Sequence, residues 1–169
     1  MDNKFLAKWY INYLDSKHSD SAIDRISMTL FNSKIKLTPH QIDAALFAFK
    51  SPISKGVLLA DEVGLGKTIE AGIIIAQLRL EKKANILIVA PASLIRQWNS
   101  ELYDKFSLES QIMDRKMFNG YMKKGYSNPF DVYKGITICS YQFASSNSEL
   151  IRNSNFEMVI LDEAHKLRN

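Results

Sequence analysis

The chain has 169 residues, of which 46% are hydrophobic and 24% charged, with a formal net charge of +4 and a pI near 9.1. That is one domain's length with enough apolar side chain for a true core, which excludes disorder throughout. The basic balance suits a polyanionic partner without demanding one. No signal peptide and no apolar run of membrane-spanning length is visible, so no membrane contact is expected and the cytoplasm is the expected compartment.

Residues 1–36 read as a separate helical segment. Phe5, Leu6, Trp9, Tyr10, Tyr13 and Leu14 recur at helical spacing, and the polar stretch Asp15 to Asp20 breaks the pattern. Asp20 or Ser21 can cap a second helix carrying Ile23, Ile26 and Leu30. The aromatic stripe fits core packing or the gripping of a partner. Residues 37–169 follow as the main domain. Thr38 can cap and Pro39 suits a first turn, so a helix is expected through Ile42, Ala45, Leu46 and Phe49, stopping near Ser51-Pro52. Gln41 lies near its start. A glutamine amide donates and accepts at once, so it can read an adenine edge.

The apolar run Gly56 to Ala60 reads as a buried strand. It leads into Asp61-Glu62-Val63-Gly64-Leu65-Gly66-Lys67-Thr68 and then the helical stretch Ile69 to Leu80. Strand, glycine loop, Lys-Thr and helix is the layout of a phosphate-binding loop. Glycines let main-chain N–H groups approach an anion, and the helix start adds its positive dipole end. Lys67 would reach the β- and γ-phosphates and the Thr68 hydroxyl would hold magnesium. The strict pattern wants glycine where Asp61 stands. The alternative is a glycine turn before an amphipathic helix with a solvated lysine.

Ala84 to Ala90 is a continuous apolar strand, as a covered parallel sheet requires. After Pro91, Ser93 can cap a helix from Leu94 to Phe106 whose inner face holds Leu94, Ile95, Trp98, Leu102 and Phe106; core packing is the ordinary role for Trp98. Residues 107–135 are the least regular. Arg115, Lys116, Lys123 and Lys124 alternate there with Phe118, Tyr121 and Tyr126, a pattern that fits a solvated insertion better than a nucleic-acid grip. Gly135 to Ser140 is another strand and encloses the single cysteine, Cys139, a core thiol suited to a reducing compartment. Asn153 to Phe156 is a turn. Met158 to Leu161 is an apolar strand ending in Asp162, Glu163 and His165, which is a Walker B layout. Asp162 would hold magnesium through water, and Glu163 would orient or deprotonate the attacking water.

Alternating strands and helices around at least four apolar strands predict an α/β fold: a three-layer parallel sheet with helices on both faces. Right-handed crossovers would set the phosphate loop and the Asp162-Glu163 pair at the carboxyl edge of that sheet.

Assembled, these motifs resemble the first RecA-like lobe of superfamily-two helicases and translocases, and most of all the Swi/Snf-type branch with its bacterial relatives. Leu59 to Thr68 matches that branch's motif I, in which an aspartate commonly stands at the Asp61 position. Pro91-Ala92-Ser93-Leu94-Ile95-Arg96-Gln97-Trp98 is similar to motif Ia, and Asp162-Glu163-Ala164-His165 matches the DEAH-type motif II. Leu37 to Gln41 looks like the upstream glutamine motif, and Ser140-Tyr141 stands where the family has a hydroxyl-Tyr pair. The resemblance covers about residues 35–169.

The resemblance implies ATP and Mg2+ as cofactors. Its ATP-binding set is Gln41, Asp61, Val63, Gly64, Leu65, Gly66, Lys67, Thr68 and Ile69; Thr68 and Asp162 would hold the metal, and Lys67, Asp162 and Glu163 would serve catalysis. Pro91, Ser93, Arg96, Gln97, Ser140 and Tyr141 would touch nucleic acid, and His165 would couple the two sites. Double-stranded DNA is the implied partner and RNA the alternative, in a bacterial cytoplasm or nucleoid. Motifs III to VI find no residues here, so the sequence reads as a fragment whose second lobe is missing and which hydrolyses ATP very slowly alone. A RecA-like docking module is the competing reading; the intact Lys67, Thr68, Asp162 and Glu163 set speaks against it.

Overall fold

The computed structural model describes residues 38–50, 56–59, 66–82 and 84–165. The helical segment expected over 1–36 and its boundary at 37 lie outside them. The chain divides into two compact units, one ending at Leu80 and the other starting at Glu81.

The first unit holds two described helices, α1 (Pro39–Lys50) and α2 (Lys67–Lys82). Thr38 opens α1: its carbonyl accepts from Ile42 N–H at 3.3 Å, and its own N–H donates to Gln41 Oε1 at 3.1 Å. This is the reach-back half of a capping box, in which a glutamine in the first turn satisfies the residue before the helix. Pro39 follows as the first helical residue, where a missing N–H costs nothing. Ile42, Ala45 and Leu46 form the buried stripe of α1. Burial in α2 runs without a break from Glu70 to Ile75, so that turn and a half is enclosed on all sides. One expectation fails in this unit. Residues 56–59 form no strand, and Val57 and Leu58 stand 37% and 80% exposed. A short apolar run becomes strand only where a neighbour accepts its main chain, and periodicity does not report that neighbour.

The second unit carries a parallel sheet of four strands: β1 (Ile86–Ala90), β2 (Ser110–Ile112), β3 (Ile136–Ser140) and β4 (Met158–Leu161), in the order β2-β3-β1-β4. Ile86 pairs with Ile136 on one side and Met158 on the other, and Val89 pairs with Cys139 and Leu161. All five residues of β1 are buried, as its unbroken apolar run requires. On one face, Leu87, Val89 and Cys139 pack with Met113 and Phe130. Side chains from α4 (Arg115–Lys123), α5 (Tyr141–Ser146) and α6 (Ser148–Arg152) cover them, including Phe118, Tyr121, Phe143 and Leu150. The rings meet edge to face, with centroids 5.7 Å apart for Phe118 and Phe143 and 6.2 Å for Phe118 and Phe130. The helix α3 (Ile95–Phe106) packs against β2 and β3 and buries Trp98, Leu102 and Phe106, none of them in that cluster. It therefore covers the opposite face, and the expected three layers are present.

Residues 107–135 are more regular than their sequence suggests. The Asp114 carboxylate accepts from Met117 N–H at 2.7 Å and starts α4, and Asn128 caps the short 3-10 turn Pro129–Asp131. The basic residues of α4 are exposed while Phe118 and Tyr121 reach the core, so two aromatics three residues apart suffice to seat the helix.

Candidate functional site

The expected residues fall into two groups, one in each unit. In the first unit, Gly66 immediately precedes α2 with φ at +95°, a left-handed conformation that side-chain-bearing residues avoid. A Cβ there would stand 2.5 Å from Gln41 Nε2, so the Gln41 amide would have to move to admit one. Gly66 carbonyl accepts from Ile69 N–H at 2.7 Å and Glu70 N–H at 3.1 Å. Lys67 and Thr68 are thus the first two residues of a sixteen-residue helix, where main-chain N–H groups lack intrahelical acceptors and the dipole is positive. Gln41 is 5% exposed. Its amide nitrogen lies against the glycine turn and its amide oxygen holds the start of α1, a structural duty that sequence reading missed. Asp61, Val63, Gly64 and Leu65 lie outside the described residues.

In the second unit, the end of β4 is built from three elements. Asp162 N–H donates to Val89 carbonyl at 2.9 Å, carrying the strand pairing one residue past Leu161. Trp98 Nε1–H donates to Asp162 Oδ2 at 2.8 Å. Tyr141 hydroxyl donates to Asp162 main-chain carbonyl at 2.6 Å. Burial, and after it the carboxylates of Asp162 and Glu163, raises the Tyr141 hydroxyl above its ordinary value of 10, which keeps it a donor. Glu163 sits at φ +56°, a strained position for a side-chain-bearing residue and of a kind concentrated at functional sites. Its carboxylate lies 3.2 Å from His165 Nδ1, with both side chains well exposed. Solvent screens this contact, and it is an ion pair only when the imidazole is protonated.

The residues expected to face nucleic acid are distributed unevenly. Pro91 to Leu94 form a tight turn, Leu94 N–H donating to Pro91 carbonyl at 2.8 Å. That turn places Leu94 and not Ser93 at the N-cap of α3, so the expected Ser93 cap is corrected: Ser93 falls one residue too early and stays exposed. Arg96 and Gln97 are exposed on the first turn, with Gln97 bonded to Glu101 at 2.7 Å. Ser140 and Tyr141 behave differently. The Ser140 hydroxyl caps α5 by accepting from Phe143 N–H at 3.1 Å, and the Tyr141 hydroxyl is committed to Asp162. Each hydroxyl thus makes one bond inside the fold, Ser140 as acceptor and Tyr141 as donor.

The Thr68 hydroxyl in the first unit and the Asp162 carboxylate in the second are each an oxygen donor of the kind that a hard cation takes. Among the described residues no cluster of three His, Cys, Asp or Glu side chains could hold a metal. Among the described residues, also, no helix is long and apolar enough to cross a membrane.

Comparison with known proteins identifies the family and the fold. A model of the SNF2-related domain matches residues 5–169. The RNA polymerase-associated protein RapA of Haemophilus influenzae is 38% identical over 142 residues, covering 82% of this chain and 15% of that protein. RapA of Yersinia pseudotuberculosis is 39% identical over 138 residues, covering 79% of this chain and 14% of the relative. The chain thus spans about 15% of the length of these curated relatives. Among solved structures, the Sulfolobus solfataricus SWI2/SNF2 ATPase core in complex with dsDNA superposes with a TM-score of 0.67 at 22% identity, covering 82% of this chain and 28% of that one. At that identity the likeness speaks for the fold, a RecA-like lobe.

Proposed function

The chain belongs to the SNF2-related domain family, and on that premise we propose that it forms the first RecA-like lobe of an ATP-dependent translocase moving on double-stranded DNA. The observation that carries this reading is the left-handed Gly66 turn delivering Lys67 and Thr68 to the open N-terminus of α2 within a matched SNF2-related domain.

In this reading the turn before α2 is a Walker A loop. Its main-chain N–H groups and Lys67 hold the β- and γ-phosphates of ATP, and Asp61, Val63, Gly64, Leu65 and Ile69 complete the cradle. Gln41, already placed beside Gly66, carries the adenine-reading role. Thr68 and Asp162 are the residues that would hold magnesium, which would supply charge neutralisation for the transferring phosphoryl group. Glu163, the second acid of the DEAH box, orients the attacking water and accepts its proton. His165 touches Glu163 and relays the state of the site toward the polymer. Pro91, Ser93, Arg96 and Gln97 contact the phosphate backbone. Ser140 and Tyr141 would contact the polymer through what their structural bonds leave over, the Ser140 O–H as a donor and the Tyr141 oxygen as an acceptor. A second lobe supplies the arginine that stabilises the transferring group, a contribution of ~10³–10⁵ in rate. The bacterial relatives are described as RNA polymerase-associated, which supports a cytoplasmic site of action and the polymerase as a neighbour.

Calorimetry with magnesium and ATP on this chain, beside Lys67→Ala, tests the phosphate loop. Heat present in the parent and absent in the variant is expected; equal heat in both would reject it. Duplex DNA and RNA, compared as activators of the full-length protein's ATPase, test the polymer. Stimulation by RNA alone would overturn the DNA reading.

A further inference from the structure

Two side chains from distant parts of the chain converge on Asp162. Trp98 is 4% exposed, and its indole N–H points at the carboxylate from the α3 face of the sheet. Tyr141 belongs to the opposite face, among the side chains packed on Leu87, Val89 and Cys139, and its hydroxyl reaches the Asp162 carbonyl. A tryptophan kept for packing alone needs some acceptor for its N–H, and here the acceptor is charged. Hydrogen bonds to an ionised acceptor are stronger and more directional than neutral ones. One bond fixes the rotamer of the carboxylate; the other fixes the main chain from which it springs.

We infer that Trp98 and Tyr141 are positioning residues for Asp162, holding its carboxylate in the orientation that magnesium requires. The inference rests on the reading of Asp162 as the metal-holding acid. It also gives that acid a mechanical tie to two segments assigned to the polymer. Trp98 lies one residue after Arg96-Gln97, and Tyr141 directly follows Ser140. A shift of α3 or of the β3–α5 junction therefore moves a hydrogen-bond donor of Asp162 without passing through the phosphate loop. Groups that orient a metal-holding carboxylate typically matter about 10- to 100-fold in metal affinity or activity.

Two measurements test this. The first is the indole N–H region of a ¹H–¹⁵N spectrum of this chain, which has two tryptophans, so Trp9 is the internal reference and Trp98→Phe assigns the other signal. Asp162→Asn should move the Trp98 signal and leave Trp9 in place; a Trp98 signal indifferent to Asp162→Asn overturns the inference. The second is the magnesium dependence of ATP hydrolysis by the full-length protein with duplex DNA. Trp98→Phe keeps an aromatic side chain while removing the donor and part of the indole, and should raise the magnesium concentration for half-maximal rate about tenfold, the low end of that range. KM for ATP at saturating magnesium should change little, while Tm falls with the lost indole packing. Tyr141→Phe, which is expected to fold even if Trp98→Phe does not, should shift the magnesium requirement in the same direction. The double variant should shift the requirement by less than the product of the two single shifts, since both act through one carboxylate. An unchanged magnesium requirement in both variants rejects the positioning role. If the parent protein hydrolyses no ATP, the proposed function fails and this inference with it, while a moved Trp98 signal would then report a hydrogen bond of purely structural use.

Discussion

The turn before α2 and the end of β4, to which the proposed function gives complementary roles, are built by opposite means. The first is local. Gly66, Lys67 and Thr68 are consecutive, the helix they open supplies the field, and one outside side chain, Gln41, closes the turn. The second is assembled. Asp162 owes its position to Val89 on β1, Trp98 on α3 and Tyr141 on α5. A local site fails when its own residues change, whereas an assembled site can fail from a distance.

The largest expected effect separates chemistry from construction. Glu163→Gln removes the carboxylate but touches none of the bonds that hold Asp162, so ATP hydrolysis by the full-length protein should fall about 10²- to 10⁴-fold. Nucleotide binding should persist. A variant that lost binding as well would mean that the end of β4 is less independent of Glu163 than its exposure implies.

A smaller effect probes the local half. Gly66→Ala meets both a positive φ and the Gln41 amide, so a loss of about 1–3 kcal/mol is expected on thermal or urea unfolding. Nucleotide affinity should drop with it, because the turn and the contact to Gln41 are one structure. Unchanged stability would show that the turn relaxes freely and that Gln41 is not held there.

The smallest effect at neutral pH, and the one that reports on the assembled half, comes from Cys139. Burial pushes its thiol from the usual value of 9.0 to about 12. Because the folded value is the higher one, its contribution to stability is complete below pH 9 and is lost progressively as pH rises toward 12. Alkylation at pH 8 should be slow in the native chain and fast in urea. Fast native labelling would mean that the sheet opens readily beside β1.

Most of the layout was legible in the sequence. Unbroken apolar runs announced β1 and β3, helical spacing announced α2 and α3, and the apolar run Ile136 to Ser140 announced that Cys139 is a core thiol. The failures share a cause. The run at residues 56–59 had the composition of a strand but not the pairing. Ser93 had the chemistry of a cap but fell inside a turn. The helix α4 hid because Phe118 and Tyr121 looked like ornaments on a basic loop until Phe130 and Phe143 were seen beside them.

What the sequence determined by itself was the set of elements and the residue types at their ends, since composition, periodicity and motif order are local properties of the chain. The tertiary structure alone decided that Trp98 and Tyr141 converge on Asp162, that Ser140 is a cap and that Gln41 leans on Gly66. Hydrogen bonds between residues far apart in sequence depend on strand order and register. Strand order emerges only when the sheet closes around β1, and no pattern along the chain encodes which donor will then face which acceptor.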